Sequence, residues 1–325
     1  MLREGLVVLR RCLGRMVIAV AGASLAYFAA TLALDPRASM ESRSPRPPRA
    51  AVSARLASLG LDDRVPPARR YAAWASRVAR GDFGATLDGM PVRGELLRRA
   101  GASLRLVAAG GGVGWAGGVL LGAVGASRPR GVLDRLITAG ALVTMAVPAF
   151  ALAVLLQTAA QGVNAWTGAP VFAWTGEYTP GAAGSAADRL RHLLLPATVL
   201  ALGQAAMCAR YQRGLMLDAL SSDWLRAALA RGLRRRTVLR RHALRVTLAP
   251  MTTFAAYGFA ALLTGTAVTE KTFAWHGLGE WLIDSIAADD VNAVAACGCA
   301  TAMTVALVGL LADLAHPALD PRARS

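Results

Sequence analysis

Six long stretches without a charged side chain limit what this chain can fold into. They cover residues 16–34, 106–127, 136–176, 193–209, 246–269 and 291–312. A helix needs about 20 apolar residues to cross a bilayer core, although one such run could also be a buried core helix. Six runs in one chain predict an all-α integral membrane protein with six transmembrane helices. Only 17% of the residues are charged, compared with roughly 25% in soluble domains.

The first and third runs need closer inspection. Arginines precede the first run, as in a signal peptide, but the run exceeds the usual core of about 7–15 residues. We therefore predict a retained first span. The third run is too long for one crossing. We predict that it crosses once and ends near Ala160, because residues 161–168 (QGVNAWTG) indicate an interfacial loop with Trp166 and Trp174 near the headgroups.

Charge asymmetry predicts the orientation. Residues 210–245 carry ten arginines against two aspartates, and residues 270–290 carry five acidic residues against one lysine. Because Lys and Arg are enriched in cytoplasmic loops, residues 210–245 and both termini are predicted to be inside, and residues 270–290 are predicted to be outside. Residues 35–99 then lie outside despite their arginines, as loops above about 60 residues largely escape this rule. Their helical spacing of Tyr71, Trp74 and Val78 predicts a short helix, either lying on the membrane or solvated.

These topological elements predict three regions. Residues 1–99 hold the first transmembrane helix and an external loop, residues 100–314 hold five helices with the inner loop 210–245, and residues 315–325 form a cytoplasmic tail. The net charge of +16 does not predict nucleic-acid binding, because no soluble basic domain carries it. Three of the four cysteines lie in apolar runs, where ordinary packing accounts for them.

Glycine and proline in the runs favour close packing and bending. Four glycines recur every four residues in the second run and form one stripe on a helix face, where two backbones can approach closely. They are Gly110, Gly114, Gly118 and Gly122. Pro148 lies in the middle of the third run, and Pro196 and Pro250 lie near the starts of the fourth and fifth, where each permits a bend. Both residue types are common in membrane helices, so alone they do not identify a transporter.

The runs lack the charged residues that ion-coupled transporters and proton pumps use, so the driving energy is expected to come from outside this chain. Neutral polar side chains could line a pathway or simply bond helix to helix. The candidates are Gln157, Gln204, Thr253 and Tyr257. No catalytic Ser–His pair or acidic dyad, metal site or phosphate-binding loop is present. We predict no enzyme activity and no cofactor on this chain.

The inner loop carries the strongest functional pattern. Asp223 is predicted as a helix N-cap and Gly232 as a left-handed stop, which together predict a short helix that ends near Arg231. A second helix over residues 237–248 leads back to the membrane at Pro250. Small residues keep the first helix thin enough to enter a groove on a partner, and two arginines can reach acidic groups there. These residues are Ala227, Ala228, Ala230, Arg226 and Arg231. The alternative is a solvated loop that only sets topology.

Several motifs in the same order resemble permease subunits of ABC importers, in the oligopeptide/dipeptide/nickel group. They are residues 226–233 (RAALARGL), Val238, residues 241–245 (RHALR), Pro250, residues 270–279 (EKTFAWHGLG), residues 318–324 (ALDPRAR), residues 80–84 (RGDFG) and residues 134–135 (DR). Two positions depart from the pattern. Arg226 stands where the general loop has Glu, and His276 stands where Pro is more usual.

The resemblance implies a type I ABC importer permease in the cytoplasmic membrane of a prokaryote. It implies a second homologous permease, two cytoplasmic ATPase domains that bind ATP and Mg²⁺, and an extracytoplasmic solute-binding protein. ATP-driven closure would act on residues 223–232, and the helices would alternate between inward-facing and outward-facing states. Peptides are the expected cargo. The alternatives are nickel or another small solute carried by the same machinery, or an ion-coupled secondary transporter.

Overall fold

The computed structural model describes residues 2–181 and 185–319. In that part of the chain the regular structure is helical, and the only β-type pairing is an isolated bridge between Ala85 and Pro91. The helices are α1 (Leu2–Ala33), α2 (Pro36–Glu41), α3 (Arg49–Ser58), α4 (Pro67–Val78), α5 (Val92–Ser127), α6 (Val132–Ala146), α7 (Ala149–Thr167), α8 (Ala186–Ser221), α9 (Asp223–Ala230), α10 (Arg235–Thr237), a π-helical turn (Val238–Ala243), α11 (Leu244–Gly265), α12 (Ala267–Phe273), α13 (Leu278–Ala287) and α14 (Val291–Leu319). Residues 320–325 of the predicted tail lie outside the described residues.

The length and apolar character of the helices confirm the predicted helical membrane architecture. Among the described residues, five helical segments are long and apolar enough to cross a bilayer, and α6 with α7 makes a sixth if this bent pair counts as one span. The five are Leu9–Ala33, Val92–Ser127, Ala186–Ser221, Arg235–Gly265 and Val291–Asp313.

The third apolar run departs from its prediction. Pro148 does not bend a single helix, because it separates α6 from α7, which meet at 103°. Val147 has extended backbone angles, as expected of a residue before proline. The predicted end near Ala160 is wrong, since α7 continues to Thr167 and stops at Gly168 with φ +65°. Asn164 stays helical while its side chain bonds both backbone groups of Phe172.

The chain forms two compact units. The first contains residues 2–104 and 276–310 of the described chain. The carboxylate of Asp290 accepts the Leu87 N–H at 2.8 Å and caps α14 through the Ala293 N–H at 3.0 Å. Asn292 donates to the carbonyl oxygens of Leu59 and Ala85. The loop before α5 is thereby held on the start of α14.

The predicted short helix in residues 35–99 is α4, and its aromatic face packs against α1. Trp74 is only 3% exposed and its ring lies 4.8 Å from that of Tyr27 on α1. The hydroxyl of Tyr71 is 2.6 Å from that of Ser24. The aromatic spacing therefore serves packing on α1, a contact that neither sequence alternative included.

The second unit contains the described residues within 105–275 and 311–319. Its central element is α8, which contacts α6, α7, α9, α11, α12 and the π-helical turn. Pro196 lies inside α8 and Pro250 inside α11. A helix that touches so many neighbours transmits any displacement to all of them, because close-packed interiors deform little.

Candidate functional site

The arginine-rich loop of residues 210–245 is helical through most of its length. Helix α8 runs to Ser221, α9 follows after one residue, and α10 begins at Arg235. The second predicted helix exists, but it is not separate from the fifth span, since Arg235–Gly265 is one continuous helical segment of 31 residues. Its π-helical turn at Val238–Ala243 is a feature that often marks functional sites in helices.

Helix α9 starts one residue earlier than predicted. Ser222 has the extended backbone of a capping residue, with φ −70° and ψ 145°, and its carbonyl oxygen accepts the Arg226 N–H at 3.1 Å. Asp223 is the first helical residue, so its assignment as N-cap is wrong. Its carboxylate is fully exposed and 3.8 Å from the Arg226 guanidinium. An acidic side chain in this first turn still favours the helix through the dipole.

Gly232 ends the α9 segment in the left-handed conformation, with φ +84°, as its sequence context predicts. The Arg231 N–H donates to the Ala227 carbonyl at 3.0 Å, and the Leu233 N–H reaches the Ala228 carbonyl at 3.4 Å. This pairing satisfies carbonyl groups that a helix end would otherwise leave open.

One face of α9 is anchored in the second unit. Leu225 is fully buried in a cluster with Met216 of α8 and Val238 of the π-helical turn, and Ala228 packs against the same cluster. The predicted thin face of three alanines is therefore split. Ala228 points inward, while Ala227 and Ala230 are exposed.

The outward face of α9 combines small, aromatic and basic side chains. Trp224 is 47% exposed, and Ala227, Ala230 and Arg231 are exposed. The Arg226 guanidinium folds back onto the Ser221 carbonyl oxygen. Five of the six residues predicted for this site thus lie on its outer surface, and Ala228 holds it in place.

The glycine stripe of α5 faces α8. At each position a Cβ would be closer than 3.0 Å to a carbonyl oxygen of α8, a separation that real Cβ atoms essentially never show. The separations would be 2.8 Å at Gly110 to Ala197, 2.6 Å at Gly114 to Ala201, 2.8 Å at Gly118 to Ala205 and 2.5 Å at Gly122 to Ala209. The two backbones therefore touch along more than three helical turns.

A buried ion pair joins α6 to α8. Asp134 is 3% exposed and accepts Nε of Arg213 at 2.5 Å and Nη2 at 2.8 Å. It also accepts the backbone N–H of Arg130 at 2.8 Å. Sequence reasoning places Asp134 only within a motif and counts Arg213 only as loop charge. The available signal is a lone acid at a helix start beside an arginine-rich segment.

The four predicted pathway residues do not share one environment. Gln157 donates to the carbonyl oxygens of Trp174 and Thr272, each at 3.0 Å. Gln204 is 3% exposed, and its amide reaches the Cys208 sulfur at 3.4 Å. The Gln157 amide therefore ties α7 to α12 and to the segment before α8, which is the alternative left open by the sequence, whereas the Gln204 bond stays within α8. Thr253 is half-buried and Tyr257 is 58% exposed.

The predicted acidic external loop of residues 270–290 is largely helical, with α12 and α13 in it. Glu270 is fully buried and Glu280 is 7% exposed. Glu280 contacts the Arg99 guanidinium at 3.5 Å and Nδ1 of His276 at 2.9 Å. His276, which departs from the resembled motif, therefore binds the first turn of α13. Among residues 2–181 and 185–319, no group of three or more His, Cys, Asp or Glu is arranged to hold a metal ion.

Known proteins of similar sequence establish the family. Residues 118–325 match the family described as binding-protein-dependent transport system inner membrane component. The chain is 46% identical over 319 residues to the oligopeptide transport system permease protein OppB of Mycobacterium tuberculosis, covering 97% of this chain and 98% of that protein. It is 30% identical over 294 residues to the oligopeptide transport system permease protein AppB of Bacillus subtilis, covering 90% and 88%.

A solved structure supports the fold. The inward-facing MetNI methionine ABC transporter has a chain that superposes with a TM-score of 0.55 at 17% identity, covering 69% of this chain and 96% of that one. With the apolar helices, these similarities make the protein a multi-pass membrane protein that functions in an ABC transport system with other subunits. The chain belongs to the family of inner membrane components of binding-protein-dependent transport systems, as a transport subunit of an ABC importer and not an enzyme.

Proposed function

We propose that this permease carries peptides into the cell. The proposal rests on the relatives that are named as oligopeptide permeases, one of them 46% identical along nearly the whole chain. ATP would be bound and hydrolysed with Mg²⁺ on two cytoplasmic ATPase domains, since this sequence has no phosphate-binding loop. A second homologous permease would complete the pathway, and an extracytoplasmic binding protein would deliver the peptide.

We infer that the protein resides in the cytoplasmic membrane of a prokaryote with both termini in the cytoplasm. The ten arginines of residues 210–245 and the five acids of residues 270–290 support this orientation through the charge rule for membrane loops. The α9 segment then faces the cytoplasm, where ATPase domains would be located.

The observation that carries the mechanism is the two-sided character of α9. Leu225 and Ala228 fix it to α8 and the π-helical turn, while Ala227 and Ala230 leave a thin outer face. A partner that moves α9 therefore also moves α8. The glycine stripe joins α8 to α5, and Arg213 joins it to α6. ATPase closure would shift these helices together and alternate access to the pathway, driven by the contacts that ATP changes on the partner.

The coupling role is tested in the complex of permeases and ATPases, reconstituted in liposomes with its binding protein. Ala227→Glu adds bulk and charge to the outer face, so we expect peptide uptake and receptor-stimulated ATPase activity to fall at least about tenfold, by analogy with the cost of an unpaired buried charge. Ala227→Ser keeps the face thin and serves as the matched control. Full activity of Ala227→Glu would contradict docking at α9.

The cargo and the orientation need separate measurements. Uptake of labelled oligopeptides should exceed uptake of single amino acids or nickel, and preferred nickel uptake would contradict the peptide proposal. For the orientation, Ala287→Cys and Arg234→Cys place thiols at exposed sites in a background without native cysteines. Impermeant reagent added to intact cells should label the first and spare the second, and the reverse pattern would contradict the topology.

A further inference from the structure

An open cleft of about 690 Å³ lies beside α10 and the π-helical turn that follows it. One wall is apolar and comes from Leu120 and Val124 of α5 and Leu133 of α6. These side chains are 63%, 45% and 59% exposed. Large apolar side chains exposed at the end of a membrane span need a covering of lipid or protein, because contact with water is unfavourable.

The lining of this cleft also has a cationic part, here called the rim. Arg128, Arg236 and Arg240 line it, and among the residues the structure describes none of these three forms an ion pair with an acidic side chain. Arg235 also lines the cleft, but it donates to the Ser127 carbonyl oxygen at 3.0 Å and so holds α10 against the end of α5. The rim therefore offers three guanidinium groups to an anion.

An apolar wall that continues into a cationic rim is complementary to an amphipathic anion. Guanidinium groups bind phosphate oxygens through paired N–H donors, and basic pockets at the cytoplasmic ends of membrane helices suit anionic lipid headgroups. A soluble anion would use the arginines but leave the three exposed apolar side chains uncovered. A peptide partner rich in acids would likewise not cover that wall.

We propose that this cleft binds an anionic phospholipid, with the headgroup phosphate on Arg128, Arg236 and Arg240 and an acyl chain along Leu120, Val124 and Leu133. The bound lipid would cover the junction where α10 meets α5, next to the cluster that anchors α9. This assignment goes beyond peptide transport, since lipid binding is measured without any transport assay.

The test uses the purified complex of permease and ATPase subunits in detergent micelles. Fluorescent phosphatidylglycerol and phosphatidylcholine with identical acyl chains are titrated, and the ratio of their dissociation constants is compared. We expect about tenfold preference for phosphatidylglycerol. The double variant Arg128→Gln with Arg236→Gln should reduce the ratio to about twofold or less. The matched control, Arg241→Gln with Arg245→Gln, removes the same charge from exposed residues outside the cleft and should keep the wild-type ratio.

Each remaining outcome contradicts the proposal in its own way. A wild-type ratio near one means that the cleft does not select anionic lipid. An equal fall of the ratio in the control pair means that the preference comes from overall positive charge and not from this cleft. Displacement of the lipid by millimolar inorganic phosphate indicates a free-anion site, and lipid binding only after the ATPase subunits are removed indicates a subunit interface. If the double variant does not assemble, Arg236→Gln is compared with Arg241→Gln, and only Arg236→Gln should lower the ratio.

Discussion

The carboxylate of Asp134 on α6 accepts two hydrogen bonds from the guanidinium of Arg213 on α8, 2.5 Å and 2.8 Å long. The two groups differ in environment, because the Asp134 side chain is 4% exposed and that of Arg213 is 30% exposed. The carboxylate depends on its partner for solvation far more than the guanidinium does. The pair fastens α6 to the helix that leads into α9.

This asymmetry predicts an unequal response to truncation. Arg213→Ala leaves a buried carboxylate without a partner and should cost about 3 kcal/mol, whereas Asp134→Ala should cost about 1–2 kcal/mol, because Arg213 can reach water. The double variant should be more stable than Arg213→Ala alone. Thermal unfolding of the purified complex measures the order, and Arg210→Ala, an exposed arginine on the same helix, is the control. Equal losses for both single variants would contradict the assignment.

The glycine stripe allows a test with its own internal controls. Gly114→Ala and Gly118→Ala place a methyl group against the α8 backbone, and such overpacking costs about 1–3 kcal/mol. Gly112 and Gly117 lie on the same helix with open space at the Cβ position, so Gly112→Ala and Gly117→Ala should be neutral or stabilising by up to about 1 kcal/mol. Melting temperatures of the four purified variants decide this. Similar values for all four would show that α5 does not touch α8 along this face.

Gly232 is required for its backbone angle and not for space. Its φ is +84° and no neighbouring atom lies within 4 Å of the position that a Cβ would take, so Gly232→Ala should cost only about 1 kcal/mol. Gly232→Pro forces φ to about −65° and should displace the end of α9, which would abolish receptor-stimulated ATPase activity. Gly214→Ala, in open space on α8, is the control. Normal stimulation in Gly232→Pro would mean that the helix stop is not needed for coupling.

Asp290 connects α14 to the preceding loop of the first unit. Asp290→Ala removes the α14 cap and the acceptor for the Leu87 N–H, and the loss should be about 1–2 kcal/mol. Asp290→Asn keeps an acceptor oxygen and should lose less. Unfolding of the two variants in parallel with wild type measures the difference, and an Ala variant as stable as wild type would contradict the capping role.

The same residue predicts a pH effect. Burial raises the pKa of Asp290 above its ordinary value of 3.8. The folded state therefore binds this proton more tightly than the unfolded state, and the extra stability that protonation gives is lost as pH rises from about 4 through the raised pKa. The stability of wild type relative to Asp290→Asn should fall over that range. A relative stability that rises with pH would contradict the sign.

Local side-chain chemistry explains why two predicted helix ends were misplaced, the start of α9 by one residue and the end of α7 by about two turns. Ser221, Ser222 and Asp223 are all good capping residues, so composition could not tell that Ser222 holds the position. The sequence predicts a loop around Asn164, but the side chain of this residue bonds Phe172 and the residue remains in α7. The left-handed conformation of Gly232 was predictable, because glycine adopts it without a Cβ penalty.

The sequence could not predict which side chains of the second unit contact each other across different helices. One of ten arginines in residues 210–245 pairs with Asp134, and nothing in the chain order distinguishes Arg213 from the other nine. Gln157 and Gln204 have the same side chain in similar apolar runs, yet the first binds the carbonyl oxygens of Trp174 and Thr272 and the second lies buried beside Cys208. These roles depend on which helix lies opposite.

By itself, the sequence determined the membrane class, the helical architecture and the position of the α9 segment, because apolar length, charge-free runs and turn residues act through local physics. Only the tertiary structure decided which faces meet: that the four glycines contact α8, that Ala228 points inward while Ala227 points outward, and that Arg213 faces Asp134. Those outcomes follow from the packing of helices distant in sequence, where the crossing geometry, and not the order of residues, selects the contacts.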